Sequence, residues 1–459
     1  MVDLKTALRL PPATRLALVG AGGKTSALFA IARQFPGPVL ATTTTHLSVD
    51  QLAWADRYFE SNNPEELEHL GESPGAGVTL VTGPPAGEGR VSGLDPVTLE
   101  KVRVLADNWQ VPLLIEADGS RLRPLKAPGD HEPAIPLFVD QVIILAGLSG
   151  LEQPLTEEWV HRPERFAGLA GIPTGDPITI EALARVLTHP QGGLKNIPPG
   201  ARRCVLLTQA SRPDLQSKAY SLAQRLLPQV ASVVVSSPFP ADQAGFSTTL
   251  QDERNLRATF EVITVIERVA GIVLAAGAST RMGRPKQLLE WQGQPFVSCV
   301  ARTALSAGLY PVIVVTGAQA AAVRSAVEDL EIQVVFNPEW EAGQGTSLRT
   351  GLQAVQEEIG AAVFLLSDQP HIQPTLLRSL VERHQHTLSP VVAPLVAGKR
   401  ANPVLFDRLT FPDLEKISGD TGGRAVFSRY PIEWLEWQDE SVLLDVDSPA
   451  DYRKLLDQN

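Results

Sequence analysis

Twice in this chain a short apolar run of strand character ends in glycines and passes at once into a helical pattern. The first run, Leu16 to Gly20, continues into Ala21-Gly22-Gly23-Lys24-Thr25-Ser26; the second, Gly271 to Ala275, continues into Ala276-Gly277-Ala278-Ser279. A strand that turns tightly into a helix commits its segment to an α/β unit, because the helix must pack back on the sheet the strand belongs to. Glycine serves such a turn by accepting backbone conformations that side chains resist. After the first loop, apolar Leu28, Ile31 and Phe35 recur at three- and four-residue spacing, which predicts a helix with one core-facing stripe.

The same alternation continues on both sides of a charged stretch, Gln251 to Arg257. Before it lie Val39 to Thr43, Val111 to Glu116, Gln141 to Ala146, Cys204 to Thr208 and Val233 to Ser236; after it lie Pro311 to Thr316, Ile332 to Phe336, Ala362 to Ser367 and Val391 to Leu395. Helical patterns separate these runs, so the sequence predicts two tandem α/β domains built on parallel sheets: residues 1–250, a linker over 251–268, and residues 269–459. Gly71 to Gly93 and Gln191 to Gly200, with their prolines and glycines, read as long loops.

Charge narrows the partners. Lys plus Arg total 40 against 51 Asp plus Glu, and the deficit is shared, 24 against 29 in residues 1–268 and 16 against 22 in residues 269–459. Neither half is basic, which argues against a dedicated nucleic-acid binder and leaves small anionic ligands held by a few local donors. Cys204 and Cys299 are far apart and lack a CxxC partner, so neither a disulfide framework nor a cysteine zinc site is expected. The segment Met1 to Pro12 lacks a signal-peptide core, and no run approaches the ~20 apolar residues that span a bilayer. The expectation is a cytoplasmic protein with neither a membrane nor a nucleic-acid partner.

The second loop carries the more specific chemistry. In Gly271-Ile-Val-Leu-Ala-Ala-Gly-Ala-Ser-Thr-Arg-Met-Gly-Arg-Pro-Lys286-Gln287, a loop of little side-chain bulk is followed by Arg281 and Lys286. Backbone amides that approach phosphate oxygens closely, backed by two cations, suit a triphosphate. Asp368 follows the apolar run Val363 to Leu366, where strand carboxyl ends line the ligand crevice of open α/β sheets. A carboxylate there can hold Mg²⁺, though the same residue type also caps helices. Asp445 and Asp447 alternate along an expected strand and so share a face, with a capping role before Ser448-Pro449 as the competing reading. Asn402 stands before Pro403 in a segment biased to extended backbone, and Gly419-Asp420-Thr421-Gly422-Gly423 is a permissive turn.

With these blocks in this order, residues 269–459 resemble the molybdenum cofactor nucleotidyltransferases, a family of Rossmann-like fold. The resemblance rests on the opening loop, Ser367-Asp368-Gln369-Pro370, Ala401 to Phe406, Ser418 to Arg424 and Leu444 to Tyr452. It implies attack by the terminal phosphate of a pterin cofactor on the α-phosphorus of a nucleoside triphosphate. Leu274, Ala275, Ala276 and Gly277 would bind the nucleotide; Arg281, Lys286 and Asp368 would be catalytic; Asn402, Gly419, Asp420 and Gly422 would face the substrate; and Asp368, Asp445 and Asp447 would hold Mg²⁺. Members that use CTP resemble this chain in Leu274-Ala-Ala-Gly277, where GTP-using members show a second glycine in place of Ala276. CTP is therefore favoured over a guanylyltransferase, and a cofactor-binding chaperone without turnover is the non-enzymatic alternative. His371, close to Asp368, reads as structural, because a phosphate attacker is already ionised.

In the first half, Gly20, Gly22, Gly23, Lys24 and Thr25 form a shortened P-loop: only Ala21 and Gly22 separate Gly20 from Gly23, where a standard loop has four residues. Glu116 and Asp118 follow a strand where such proteins keep metal-associated acids, and Thr42 to Thr45 with His46 follow another. His131 and His161 are weak zinc candidates. With Glu116-Ala-Asp-Gly119, Arg123-Pro-Leu-Lys126, His131-Glu-Pro and His161-Arg-Pro-Glu, residues from about 7 to about 240 resemble the accessory-protein family of selenium-dependent molybdenum hydroxylases, which looks like a P-loop nucleoside triphosphatase. An Asn-Lys-x-Asp pattern is missing from Cys204 to Ser211, so ATP and GTP both stay open. Together the two resemblances imply a maturation protein whose partner is a molybdenum hydroxylase apoenzyme.

Overall fold

The computed structural model describes residues 2–71, 75–238, 260–279 and 282–457. The chain divides into two compact units, Met1–Ile266 and Glu267–Asn459.

The first unit is built on nine strands: β1 (Arg15–Gly20), β2 (Val39–Thr43), β3 (Arg57–Glu60), β4 (Val78–Thr82), β5 (Leu113–Glu116), β6 (Gln141–Gly147), β7 (Arg202–Thr208), β8 (Ser232–Pro238) and β9 (Phe260–Glu267). Their order in the sheet is β9-β8-β7-β6-β1-β5-β2-β4-β3, and β1 to β8 pair in parallel. Helices on the faces bury both sides of β1, β2, β4 and β6, which is why these strands read as continuous apolar runs rather than alternating ones. Two expectations change here. Val78–Thr82, inside the stretch read as a loop, is a fully buried strand too short to stand out between its flanking glycines. Of the linker, residues 251–259 lie outside the described residues, while Phe260–Glu267, rich in β-branched residues, joins the first sheet beside β8.

The second unit holds β10 (Val269–Ala275), β11 (Val312–Thr316), β12 (Gln333–Phe336), β13 (Ala361–Leu366), β14 (Val391–Val396), β15 (Lys399–Arg400), β16 (Val404–Asp407) and β17 (Ile432–Glu436). The order is β12-β11-β10-β13-β16-β14-β15, with β17 beside β14. It is a mixed sheet rather than the parallel one expected, because β16 runs antiparallel to both β13 and β14. The connection from β14 through β15 is hairpin-short, and only an antiparallel return fits so few residues. Apolar clusters pack on both faces of the centre, one around Val273, Val314 and Leu365 and the other around Ile272, Val315 and Phe364. No helix among the described residues is long and apolar enough to cross a membrane.

Candidate functional site

In the second unit, β10 and β13 pair in parallel with Leu274 opposite Leu366, so the loop after one and the turn after the other emerge side by side. Between them opens a hollow of about 450 Å³. Leu274, Ala276, Gly277, Ala278, Lys286 and Asp368 line it together with Trp340, Gly343, Gln344, Ser347 and Asp420, and Trp340 lies beside Ala276 across Gly317. Ala275, next to them in the loop, is buried in the sheet.

The loop is braced from within. Ser279 has a left-handed backbone (φ 56°), donates its hydroxyl proton to Gln287 Oε1 at 3.0 Å, and accepts from the Lys286 amide at 2.9 Å. Gln287, itself buried, donates to the Gly277 carbonyl at 3.1 Å. A Cβ added at Gly277 would meet none of the described residues within 4 Å, and Gly277 itself lines the hollow. The Lys286 ammonium donates to Asp368 Oδ2 and, at 2.8 Å, to Asp447 Oδ1. Burial alone would lower the Lys286 pKa, but the two carboxylates outweigh it and hold the ammonium above its usual range. Asp368 Oδ1 is buried and, among the described residues, has no hydrogen-bond partner.

Asp445 and Asp447 are not on a strand. Residues 444–447 run in irregular backbone before helix α7 (Pro449–Leu456; α1 to α6 are Lys24–Ala32, Pro96–Trp109, Pro213–Leu226, Phe296–Ser306, Gln344–Gln353 and Pro374–Thr387). Val446 is fully buried against Met282, Leu289 and Phe296, which leaves its neighbours to reach toward the Asp368 turn. Asp445 accepts from Gln369 Nε2 at 2.7 Å; burial and the nearby Asp368 charge push its pKa up. Among the described residues no three His, Cys, Asp or Glu side chains are grouped to hold a metal ion, so the three aspartates do not form a complete ligand set.

Gly343 (φ 108°) comes so close to the Gly419–Asp420 turn that a Cβ would sit 2.6 Å from Asp420 Oδ1. Gly419 and Gly422 also take left-handed backbone, and the turn packs on the start of α5. Asp420 faces the hollow. Asn402, between β15 and β16 in a cis peptide with Pro403, is not among the residues lining it. Arg281 lies outside the described residues. Trp340, Gly343, Gln344 and Ser347 escaped the sequence reading, although Gly343-Gln344-Gly345-Thr346-Ser347 after β12 is a further glycine turn into a helix. Asn337 fixes that turn by donating to Thr346 Oγ1 at 2.8 Å and Ser347 Oγ at 3.0 Å.

The glycine loop of the first unit is arranged differently. Gly20, Gly22 and Gly23 all have positive φ, and a Cβ would sit 2.3 Å from the Leu145 carbonyl at Gly20 and 2.5 Å from the Gly147 amide at Gly22. The loop donors are taken by the protein: Gly20 N by both Asp118 oxygens at 3.1 Å, Ala21 N by Leu145 O at 3.0 Å, and Gly22 N by Arg123 O at 3.2 Å. Lys24 is buried, donates to Gly20 O at 2.8 Å, and lies 3.3 Å from Asp118. Thr25 donates to Glu116 at 2.7 Å; burial pushes the Glu116 pKa up against the pull of Lys24 and Thr25.

From Asp118 a chain of alternating charge runs through Lys126 (2.8 Å) and Glu132 (2.9 Å) to Arg162 (2.8 Å). Burial opposes ionisation of Glu132, but Arg162 and Lys126 win and hold its pKa at about 2. Burial, then Arg162, Lys126 and Arg121, lowers His161 to about 4. This cationic company makes His161 a poor zinc ligand, and His131 is exposed. The hydroxyls of Thr42, Thr43 and Thr44 donate to the Val81, Glu116 and Ala134 carbonyls, so they brace the sheet edge.

Comparison with known proteins agrees with this division. Residues 16–164 match the family model described as YqeC protein, and residues 271–434 match the MobA-like NTP transferase domain. The chain is 35% identical over 202 residues to the uncharacterised protein YqeC of Escherichia coli, covering 43% of this chain and 77% of the relative. It is 32% identical over 198 residues to a nicotine blue oxidoreductase of Paenarthrobacter nicotinovorans, covering 41% and 96%. It is 30% identical over 133 residues to a probable molybdenum cofactor guanylyltransferase of Bacillus cereus, covering 28% and 64%. The chain therefore belongs to the YqeC family through its first unit and, through its second, to the MobA-like family of nucleotidyltransferases related to those of the molybdenum cofactor.

Proposed function

We propose that the second unit is a molybdenum cofactor cytidylyltransferase and that the first is a nucleotide-binding accessory domain for maturing selenium-dependent molybdenum hydroxylases. The observation that carries the reading is the shared hollow: the Gly277 loop, Lys286 and Asp368 face one space of about 450 Å³, within the usual range of ligand sites. In the reaction, an oxygen of the pterin's terminal phosphate attacks the α-phosphorus of CTP. The new P–O bond forms as the bond to the bridging oxygen breaks, and pyrophosphate leaves.

The attacker is already an anion, so no protein base or nucleophile is needed. The protein's work is to align two phosphates and to neutralise charge. Loop amides around Gly277 would hold the triphosphate. Lys286, kept ionised by Asp368 and Asp447, would balance charge as the pyrophosphate forms. Mg²⁺ would be held by Asp368 and Asp447, with Asp445 behind them; when bound, it supplies Lewis-acid neutralisation of phosphate oxygens. Asp368 Oδ1, without a partner among the described residues, fits such an ion, and a two-carboxylate pair suits a cation that takes most of its ligands from water and phosphates.

Ala276 supports CTP. It lines the hollow, and a Cβ at Gly317 behind it would come within 2.8 Å of its methyl group, so the methyl has little room to retreat from a larger purine. In the first unit, ATP or GTP would meet the first-turn amides at the start of α1, where Gly23 supplies no side-chain cap, and a hydroxylase apoenzyme would be the partner. Tethering keeps the two activities at high mutual concentration.

The test is pyrophosphate release by the purified chain with Mg²⁺, molybdenum cofactor and each of the four nucleoside triphosphates. Release dominated by CTP is expected. Dominant use of GTP overturns the base assignment, and no release with any of them replaces the enzyme by a cofactor-binding chaperone.

A further inference from the structure

Gln369 and His371 follow Asp368 in the turn after β13, and both are deeply buried, at 2% and 7% exposure. Neither lines the hollow. They reach instead to the irregular segment before α7. Gln369 Nε2 donates to Asp445 Oδ1 at 2.7 Å and to the Val442 carbonyl at 3.4 Å. His371 Nε2 meets the Ser441 carbonyl at 2.9 Å. A carbonyl only accepts, so the ring proton belongs on Nε2 and Nδ1 is bare. The main chain adds one bond, from Val446 N to Asp368 O at 3.3 Å.

These contacts are purchased at a visible penalty. Gln369 Oε1 and His371 Nδ1 are both buried and, among the described residues, without a hydrogen-bond partner. Buried orphan acceptors destabilise a fold, and apolar side chains would serve packing alone better here. What the two polar side chains achieve is attachment of segment 441–447, whose last residue, Asp447, grips Lys286 opposite Asp368. Burial lowers the His371 pKa despite its bond to the Ser441 carbonyl and the charges of Asp439 and Asp368.

We propose that Gln369 and His371 are positioning residues that clamp segment 441–447 onto the Asp368 turn, so that Asp368 and Asp447 close on the Lys286 ammonium from two sides. The inference rests on reading Lys286 and Asp368 as the phosphate-side charges of a nucleotidyltransferase; the geometry it concerns is measurable without turnover.

The experiment is competitive acetylation of the full chain with acetic anhydride at mildly alkaline pH, read at Lys286 by mass spectrometry relative to the other lysines. Only the free amine reacts, and the paired carboxylates keep Lys286 protonated and slow. Asp447→Asn removes one carboxylate directly and should raise Lys286 labelling about threefold. Gln369→Ala and His371→Ala should raise it by a similar factor, whereas His371→Gln, whose amide nitrogen can replace Nε2, should return it to the wild-type level. If an alanine variant does not fold, Gln369→Glu takes its place: it keeps the size, removes the donor and sets a carboxylate against Asp445, so labelling should again rise. Unchanged labelling in the Gln369 and His371 variants while Asp447→Asn responds would overturn the clamp, as would no response to Asp447→Asn. Pyrophosphate release has no part in this readout, so failure of the proposed reaction and failure of the clamp are separate results.

Discussion

The two glycine loops begin alike in sequence and end as opposites. In the first unit the amides of Gly20, Ala21 and Gly22 and the ammonium of Lys24 all point at acceptors the protein supplies, from Asp118, Leu145, Arg123 and Gly20 itself. In the second unit the corresponding loop is braced by Ser279 and Gln287, which leaves Gly277 and Ala278 open to a hollow. The glycines differ in purpose accordingly. Gly20 and Gly22 have no side chain because the backbone of β6 occupies that space, whereas none of the described residues fills the space beside Gly277. A glycine-lysine pattern thus specifies a tight turn after a strand. Whether that turn presents donors or consumes them depends on what the neighbouring strand ends place beneath it.

The largest test of this contrast is Asp118→Ala. Asp118 is 2% exposed and takes a backbone amide and two ammonium groups, so its removal takes the carboxylate 3.3 Å away from buried Lys24 and leaves Lys126 to Glu132. Breaking a buried ion pair from one side costs about 3–5 kcal/mol, and the first unit's transition in urea unfolding of the whole chain should shift by that amount. A shift below about 1 kcal/mol would mean that the first loop is as open as the second.

The second loop should respond in rate rather than stability. Lys286 and Asp368 sit at the rim of a hollow, with side chains 23% and 13% exposed. Lys286→Ala or Asp368→Ala should lower pyrophosphate release about 100-fold, roughly 2.7 kcal/mol of transition-state stabilisation, while circular dichroism stays that of the native chain. Unchanged rates in folded variants would remove both residues from the site.

Local pattern made part of this visible before any coordinates. β1, β2, β6 and β10 are short, largely apolar runs beside turn residues, and the strand-end position of Asp368 follows from the carboxyl-edge rule of open sheets. That rule also brought Asp368 and Gly277 into one hollow. The antiparallel course of β16 was hidden because it depends on how briefly β14 connects to it. The closure of the first loop was hidden for a longer-range reason: Leu145, Arg123 and Asp118 lie about a hundred residues from Gly20, and nothing near Gly20 announces them. The Gly343 part of the hollow had a local signal in Gly343-Gln344-Gly345, but its meaning came only from contact with the Asp420 turn.

A smaller effect separates the two loops glycine by glycine. At Gly20, alanine would have to adopt φ 96° with its methyl 2.3 Å from a carbonyl oxygen, and that backbone cannot shift without disturbing β6. Gly20→Ala should destabilise the first unit by about 2 kcal/mol, from strain and overpacking together. Gly277→Ala should change stability by less than about 0.5 kcal/mol, and any consequence should show in nucleotide affinity measured by titration. Equal destabilisation at both positions would erase the distinction between a loop packed on its sheet and a loop facing a ligand.

The smallest effect concerns what the open loop selects. Ala276 contributes one methyl group to the wall of the hollow and is confined from behind, since Gly317 already lies as close as a residue without Cβ permits. Ala276→Gly removes the methyl while leaving the backbone hydrogen bond from Ala318 N to Ala276 O in place. One methyl in a fitted pocket is worth about 1–3 kcal/mol of discrimination, so the ratio of CTP to GTP use, measured as pyrophosphate release in direct competition, should fall about tenfold in the variant. A ratio that stays constant while overall activity holds would move base selection away from this methyl group and toward other residues that line the same space, such as Trp340 and Gln344.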